Sequence, residues 1–233
     1  MTRSVPHWRD LGDPRPKRAM DRYTPVAWPQ GDCRPLDTTG AYLAPHLAAI
    51  LATRRSRRDF VAPATKGDLS ALFDLSARTQ EARISDLGFD LEFRRHPASG
   101  AIHSIHCLVQ ERRGEEWNRY DAKRHELVTL RGSSDAAQAI RLAADEVVPT
   151  GNASLIAFIA EPGKTAAKYD CPESLIWRDA GVMLGYISIA AEALGLGFCP
   201  LGITGDPMIA NTLDQQGRLR GVGLALLGRL HLG

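Results

Sequence analysis

Apolar residues along this chain change their spacing several times, and each change marks an element. Leu69, Leu72, Phe73 and Leu75 recur at helical spacing behind Thr65. This predicts a helix over 66–78 with Thr65 as its N-cap. A short amphipathic helix is expected over 46–53 and an extended segment over 57–60. Residues 79–90 carry no clear period. A short strand is expected over 91–95, and Pro-Ala-Ser-Gly at 97–100 reads as a turn opening a short helix. Segments 105–112, 117–120 and 126–130 read as antiparallel strands, with Arg113-Gly114 in a hairpin turn. Ser134 is placed to cap a helix over 135–147. Segment 153–160, ASLIAFIA, reads as a buried strand.

The longest apolar pattern spans 172–194. Leu175, Ile176, Val182, Met183, Leu184, Tyr186, Ile187, Ile189 and Leu194 cover most of a helical circumference. Such a helix is buried on all sides, either at the centre of a core or in a dimer interface. A strand near 198–200 follows, then a short helix over 207–213 with Pro207 at its first position, and a last buried strand over 221–229. The order gives an α+β domain with a mostly antiparallel central sheet flanked by helices. Residues 1–38 hold six of the fourteen prolines and little periodicity. They read as an extended arm, leaving 39–233 as the folded domain.

Composition narrows the function classes. At 233 residues the chain can bury a substantial core. A net charge of +2 and a pI near 8.4 argue against a nucleic-acid binder. Cys33, Cys107, Cys171 and Cys199 lie far apart with no Cys-x-x-Cys pair, so no metal site is expected. No secretory signal follows the first residues, and the apolar run is too short to span a bilayer. A cytoplasmic protein, with no membrane partner, is the expectation.

Candidate chemistry concentrates in a few places. Arg54-Arg55-Ser56-Arg57-Arg58-Asp59-Phe60 sets four arginines around a serine. Guanidinium forks and a hydroxyl suit a phosphate, and in an extended segment Arg54, Ser56 and Arg58 would point the same way. On charge alone a solvated basic surface or a polyanion patch is the favoured reading. Arg94-Arg95-His96-Pro97-Ala98-Ser99-Gly100-Ala101-Ile102-His103 combines a turn with Ser99 and His103 at its rim. Lys168-Tyr169 pairs an ammonium with a phenol, which together can move a proton. Residues 191–202 run Ala-Glu-Ala-Leu-Gly-Leu-Gly-Phe-Cys-Pro-Leu-Gly, and Gly228-Arg229 closes the last strand. No GxGxxG or GxxxxGK[ST] loop is present.

Taken in order over 51–229, these motifs resemble the FMN-dependent nitroreductase superfamily. The closest branch is that of the SagB-type, or azoline dehydrogenase, oxidoreductases. The resemblance implies a nitroreductase-like fold and a homodimer with FMN between the subunits. It implies that Arg54, Arg55, Ser56, Arg58 and Arg229 hold the phosphate and ribityl end, and that Ser99, His103, Pro200, Leu201 and Gly202 lie against the cofactor. Lys168 and Tyr169 would be the catalytic pair. The implied reaction oxidises thiazolines or oxazolines to azoles in a small-molecule or peptide substrate, with a cyclodehydratase or other biosynthetic enzyme as a possible partner. The same resemblance also admits an NAD(P)H-dependent nitro- or quinone reductase, or a non-catalytic member that binds a partner. Two departures stand out: Ser104-Ile105-His106 replaces the branch's usual Pro-Leu-Glu, and Gly181-Val182 replaces a frequent Gly-His.

Overall fold

The computed structural model describes residues 15–29, 31–37, 47–208, 213 and 217–231. Its centre is an eight-stranded sheet built wholly from antiparallel pairs. The strands are β2 (Cys33–Pro35), β3 (Ala62–Pro63), β6 (Ile105–Gln110), β7 (Asn118–Asp121), β8 (Glu126–Thr129), β9 (Ser154–Ala160), β11 (Leu196–Pro200) and β12 (Arg220–Arg229). They lie in the order β11-β12-β9-β6-β7-β8-β2, with β3 added to β12. Two small pairs stand apart: β1 (Arg15–Pro16) with β10 (Tyr169–Asp170), and β4 (Thr79–Arg83) with β5 (Leu91–Arg94).

The helices are α1 (Leu47–Thr53), α2 (Lys66–Ser76), α3 (Ser134–Val147), α4 (Pro162–Ala166) and α5 (Glu173–Ala193). Helices α2 and α5 cover one face of the sheet and α3 the other. Strand β9 shows the consequence of being covered twice. Its Ile156, Phe158 and Ala160 enter the core beneath α5, while Leu155, Ala157 and Ile159 enter the core beneath α3. Period-two geometry with both faces buried therefore yields an unbroken apolar run.

Local sequence explains several boundaries. Thr65 caps α2 as expected, and Asp68 completes a capping box with it. At α3 the N-cap position is Ser133 rather than Ser134, and no side chain caps the helix. The Ser133 hydroxyl instead accepts the Trp117 N–H at 2.9 Å. The hairpin β4–β5 carries polar, exposed residues on β4, which is why no period announces it. Of the helix expected over 207–213, residues 209–212 lie outside the described residues.

Helix α5 departs most from expectation. One face is buried: Ile176, Asp179, Ala180, Met183, Ile187, Ala190 and Ala191. The opposite face, with Gly181 and Gly185, is exposed, and Trp177 (48% exposed) and Tyr186 (39%) flank it. Gly181 and Gly185, four residues apart on that face, have nothing within 4 Å of where a side chain would start. The apolar circumference is real, but within one chain only part of it is used. No described helix is long and apolar enough to cross a membrane.

Candidate active site

The arginine segment is anchored by its last residue. Gly197 and Gly228 face each other across β11 and β12. A methyl group at either would stand 2.9 Å from the Phe60 ring. Two glycines thus make room for Phe60, and the chain before it runs beside β11. The Arg57 N–H donates to the Phe198 carbonyl at 3.1 Å. The Arg57 guanidinium lies 3.7 Å from Glu192, near the C-terminal end of α5. Arg55 to Asp59, with Leu230 and His231, line an open hollow of about 610 Å³.

Arg54 is not part of that lining; its N–H still bonds the Ile50 carbonyl and so prolongs α1. Arg229 also faces elsewhere. Its guanidinium donates twice to Asp68, at 2.8 and 3.2 Å. Burial pushes the Asp68 carboxyl up, but bonds from Arg229 and Thr65 outweigh it and hold the group below its ordinary range. The donor set around the hollow, three guanidinium groups with a hydroxyl and an imidazole against the single carboxylate of Asp59, fits a phosphate ester. The buried Arg57 Nε, which has no partner among the described residues, agrees with that fit. Nearby, Pro200 and Gly202 are exposed at the end of β11, and Leu201 spends its N–H on the Leu224 carbonyl at 2.8 Å.

A second group forms toward the other end of α5. Ser99, Gly100 and Ala101 make a single 3-10 turn before β6. Asp179, reaching from α5, holds its start. The carboxylate accepts the Ser99 N–H at 3.1 Å and the Ser99 hydroxyl at 2.9 Å. Burial pushes the Asp179 carboxyl up, and the two Ser99 bonds partly restrain it. Gly100 adopts φ +60°, a conformation that costs other residues strain. A methyl group there would stand 2.9 Å from the Tyr169 Oη and 3.0 Å from the Lys168 Nζ. The ammonium also lies 5.5 Å from the Tyr169 ring centre.

Neighbouring residues diverge in a strand, yet this pair converges. Lys168 sits in the turn leaving α4, its N–H bonded to the Thr165 carbonyl, and Tyr169 begins the two-residue β10. The structure thus brings Ser99, Lys168 and Tyr169 together around one bare backbone position. His103 is not at a rim. It is 3% exposed, stacked edge-on against His96 at 4.9 Å, and its Nδ1 is buried without a partner among the described residues. Burial, with Arg94 and His96 nearby, drops its pKa to about 2, so the ring is neutral.

Asp179 is the site residue that motif reading misses. A signal existed: it is a lone carboxylate one turn from Ile176 on an apolar helix, and a buried carboxylate needs donors. Its partner lies 80 residues away in sequence, which local spacing cannot reveal.

Residues 51–229 match the nitroreductase family. The chain belongs to that family. Its fold resembles a putative nitroreductase from Ralstonia eutropha JMP134, with a TM-score of 0.65 and 17% identity over 92% of this chain and 99% of that one. It also resembles a chain of the Escherichia coli microcin synthetase McbBCD complex with truncated pro-MccB17 bound, at TM-score 0.58 and 14% identity, covering 76% of this chain and 69% of that one. A Bacteroides fragilis nitroreductase with bound FMN matches at TM-score 0.50 and 13% identity, over 79% and 88% of the two chains. No curated protein matches the sequence.

Proposed function

We propose that this nitroreductase-family protein is an FMN-dependent oxidoreductase that works as a homodimer and dehydrogenates an azoline ring in a peptidic substrate. The observation that carries the catalytic part is the convergence of Lys168 Nζ and Tyr169 Oη over Gly100. When bound, FMN supplies the acceptor for the hydride that the ring must lose. The remaining task is to take a proton from carbon, and that falls to Tyr169. Lys168 holds a positive charge beside the phenol oxygen, so a proton can arrive there and move on. Ser99, fixed by Asp179, keeps the turn and hence the space above Gly100 in place.

Where the two groups stand supports the homodimer. Asp179 and Glu192 lie about 20 Å apart along α5 at the usual helical rise. The phosphate-type donors and the proton-transfer pair of one chain therefore address different ends of the helix. Two copies packed through the open face of α5, with Gly181 and Gly185 allowing close approach, bring the arginine end of one chain toward the turn end of the other. Arg55, Ser56, Arg57 and Arg58 would hold the cofactor's phosphate, and Pro200 to Gly202 would border its ring. A microcin synthetase complex holding a pro-peptide is among the structural relatives, which makes a peptide the first substrate to try.

The test is to prepare Lys168→Ala and Tyr169→Phe, verify that both retain FMN, and follow bleaching of the bound flavin by an azoline-containing peptide in a single turnover. The expected loss is about 10²–10⁴-fold in each. If both bleach at the parental rate, the pair is structural. Rapid bleaching by NAD(P)H followed by reoxidation with a nitroaromatic would mark a reductase instead, and a colourless protein would mark a binding module.

A further inference from the structure

On the far side of the 99–101 turn, between β5, β6, β7 and α4, lies a second cavity of about 230 Å³. Its charged lining is Arg94, Arg119, Lys123 and Lys164 with Asp90, Glu92 and Asp121; Cys107 and Met183 form an apolar wall. Lys164 is only 6% exposed. Among the described residues its ammonium makes one hydrogen bond, to the His103 carbonyl at 3.2 Å, and lies 5.0 Å from the Phe89 ring centre. An ammonium carries three donors, so two are unspent. Arg119 pairs through a terminal nitrogen with Asp121 at 3.6 Å and lies 5.7 Å from the Trp28 ring centre, but its buried Nε has no hydrogen-bond partner among the described residues.

The carboxylates around these donors are already engaged: Asp121 accepts the Lys123 and Arg124 N–H groups at 3.1 and 3.0 Å. Glu92 accepts from Thr79 at 2.5 Å and from Arg94 at 3.0 Å. Glu161 meets His106 at 2.9 Å and the Val26 N–H at 2.5 Å. Asp90 pairs with Lys123 at 2.6 Å. Buried donors left unspent are costly, and a cavity bordered by the Lys164 ammonium, with two donors unspent, and by the Arg119 Nε offers a paired site for acceptor oxygens. We propose that this cavity binds a small carboxylate, its oxygens meeting Lys164 and Arg119 and its short apolar body lying against Cys107 and Met183. The cavity is too small for a peptide or a flavin. Through the Lys164 bond to the His103 carbonyl, it adjoins the turn that carries Ser99 and Gly100.

The test uses the full-length protein. Wild type, Lys164→Met and Arg119→Gln are titrated calorimetrically with acetate, propionate, butyrate and benzoate, and with chloride and inorganic phosphate at matched ionic strength. Wild type should bind at least one of the carboxylates saturably, in preference to chloride and phosphate. Both variants should bind that carboxylate about tenfold more weakly or worse, as expected for loss of a charge-assisted bond. Lys164→Met also removes the donor to the His103 carbonyl, so a melt of each variant confirms that it is folded, and Arg119→Gln, which leaves that bond in place, provides an independent variant. Absence of carboxylate binding, binding unchanged in both variants, or a preference for phosphate over every carboxylate would overturn the assignment.

Discussion

The two ends of α5 carry the two halves of the proposed site in opposite states. At the C-terminal end, Arg55 and Arg58 are exposed and form no ion pair among the described residues. Phe60, the Arg57 backbone and the Arg57–Glu192 pair tie that segment down. Toward the N-terminal end, Ser99 is clamped by Asp179, Gly100 is held left-handed, and two proton-bearing side chains close over it. One half is a reserve of charge waiting for a ligand to order it. The other is set before any ligand arrives. Charge that binds an anion can remain solvated until it is used, whereas a proton-transfer geometry has to be built in advance.

Acid should separate the two ends most strongly. His96, beneath the turn, and His106, on β6, are held neutral by burial, each with a pKa of about 4 against an ordinary 6.5. Between those values the unfolded chain binds more protons than the folded one. Stability is therefore complete above the ordinary histidine range and falls as pH drops through this window. The slope is about 1.4 kcal/mol per pH unit for each histidine. Asp179, with its carboxyl pushed up, works in the opposite direction and offsets part of this. Urea melts at stepped pH would read the slope. Hydrogen exchange should show the turn loosening while residues 55–60 change little, and equal loosening at both ends would break the contrast.

Replacing Asp179 by Ala should come next in size. It leaves the Ser99 N–H and hydroxyl without their acceptor, at roughly 1–3 kcal/mol for each group that stays buried. The melting temperature should fall in the flavin-free protein. Arg58→Ala should do the reverse, leaving the flavin-free melt unchanged while FMN affinity drops by about 1.5–3 kcal/mol. Equal effects of the two substitutions on the flavin-free melt would show that the arginine end is as built as the turn.

The same contrast explains what the sequence made legible. Sheet strands and α5 announce themselves because burial on one or both faces imposes a period, as in Ser154–Ala160. The arginines announce themselves as composition. Neither kind of signal shows that Arg229 is bonded to Asp68, because that pair depends on β12 ending beside α2. Helix α4 and strand β10 are five and two residues long, too short for any period, yet they are what turns Lys168 and Tyr169 toward Gly100. Likewise, the full apolar circumference of α5 is visible in sequence, but which part stays open is decided only when the sheet takes the other face.

The most direct test of the central claim, that each site is assembled from the arginine end of one chain and the turn end of another, is subunit complementation. Arg58→Glu and Gly100→Val, the latter forcing a side chain into Tyr169 and Lys168, should each abolish flavin binding alone. Co-expressed with different affinity tags and purified as the mixed dimer, they place both defects in one site and leave the other intact. The account predicts that the mixed dimer carries half the wild-type flavin content. A mixed dimer with no flavin would mean that each chain builds its own site, and would contradict it.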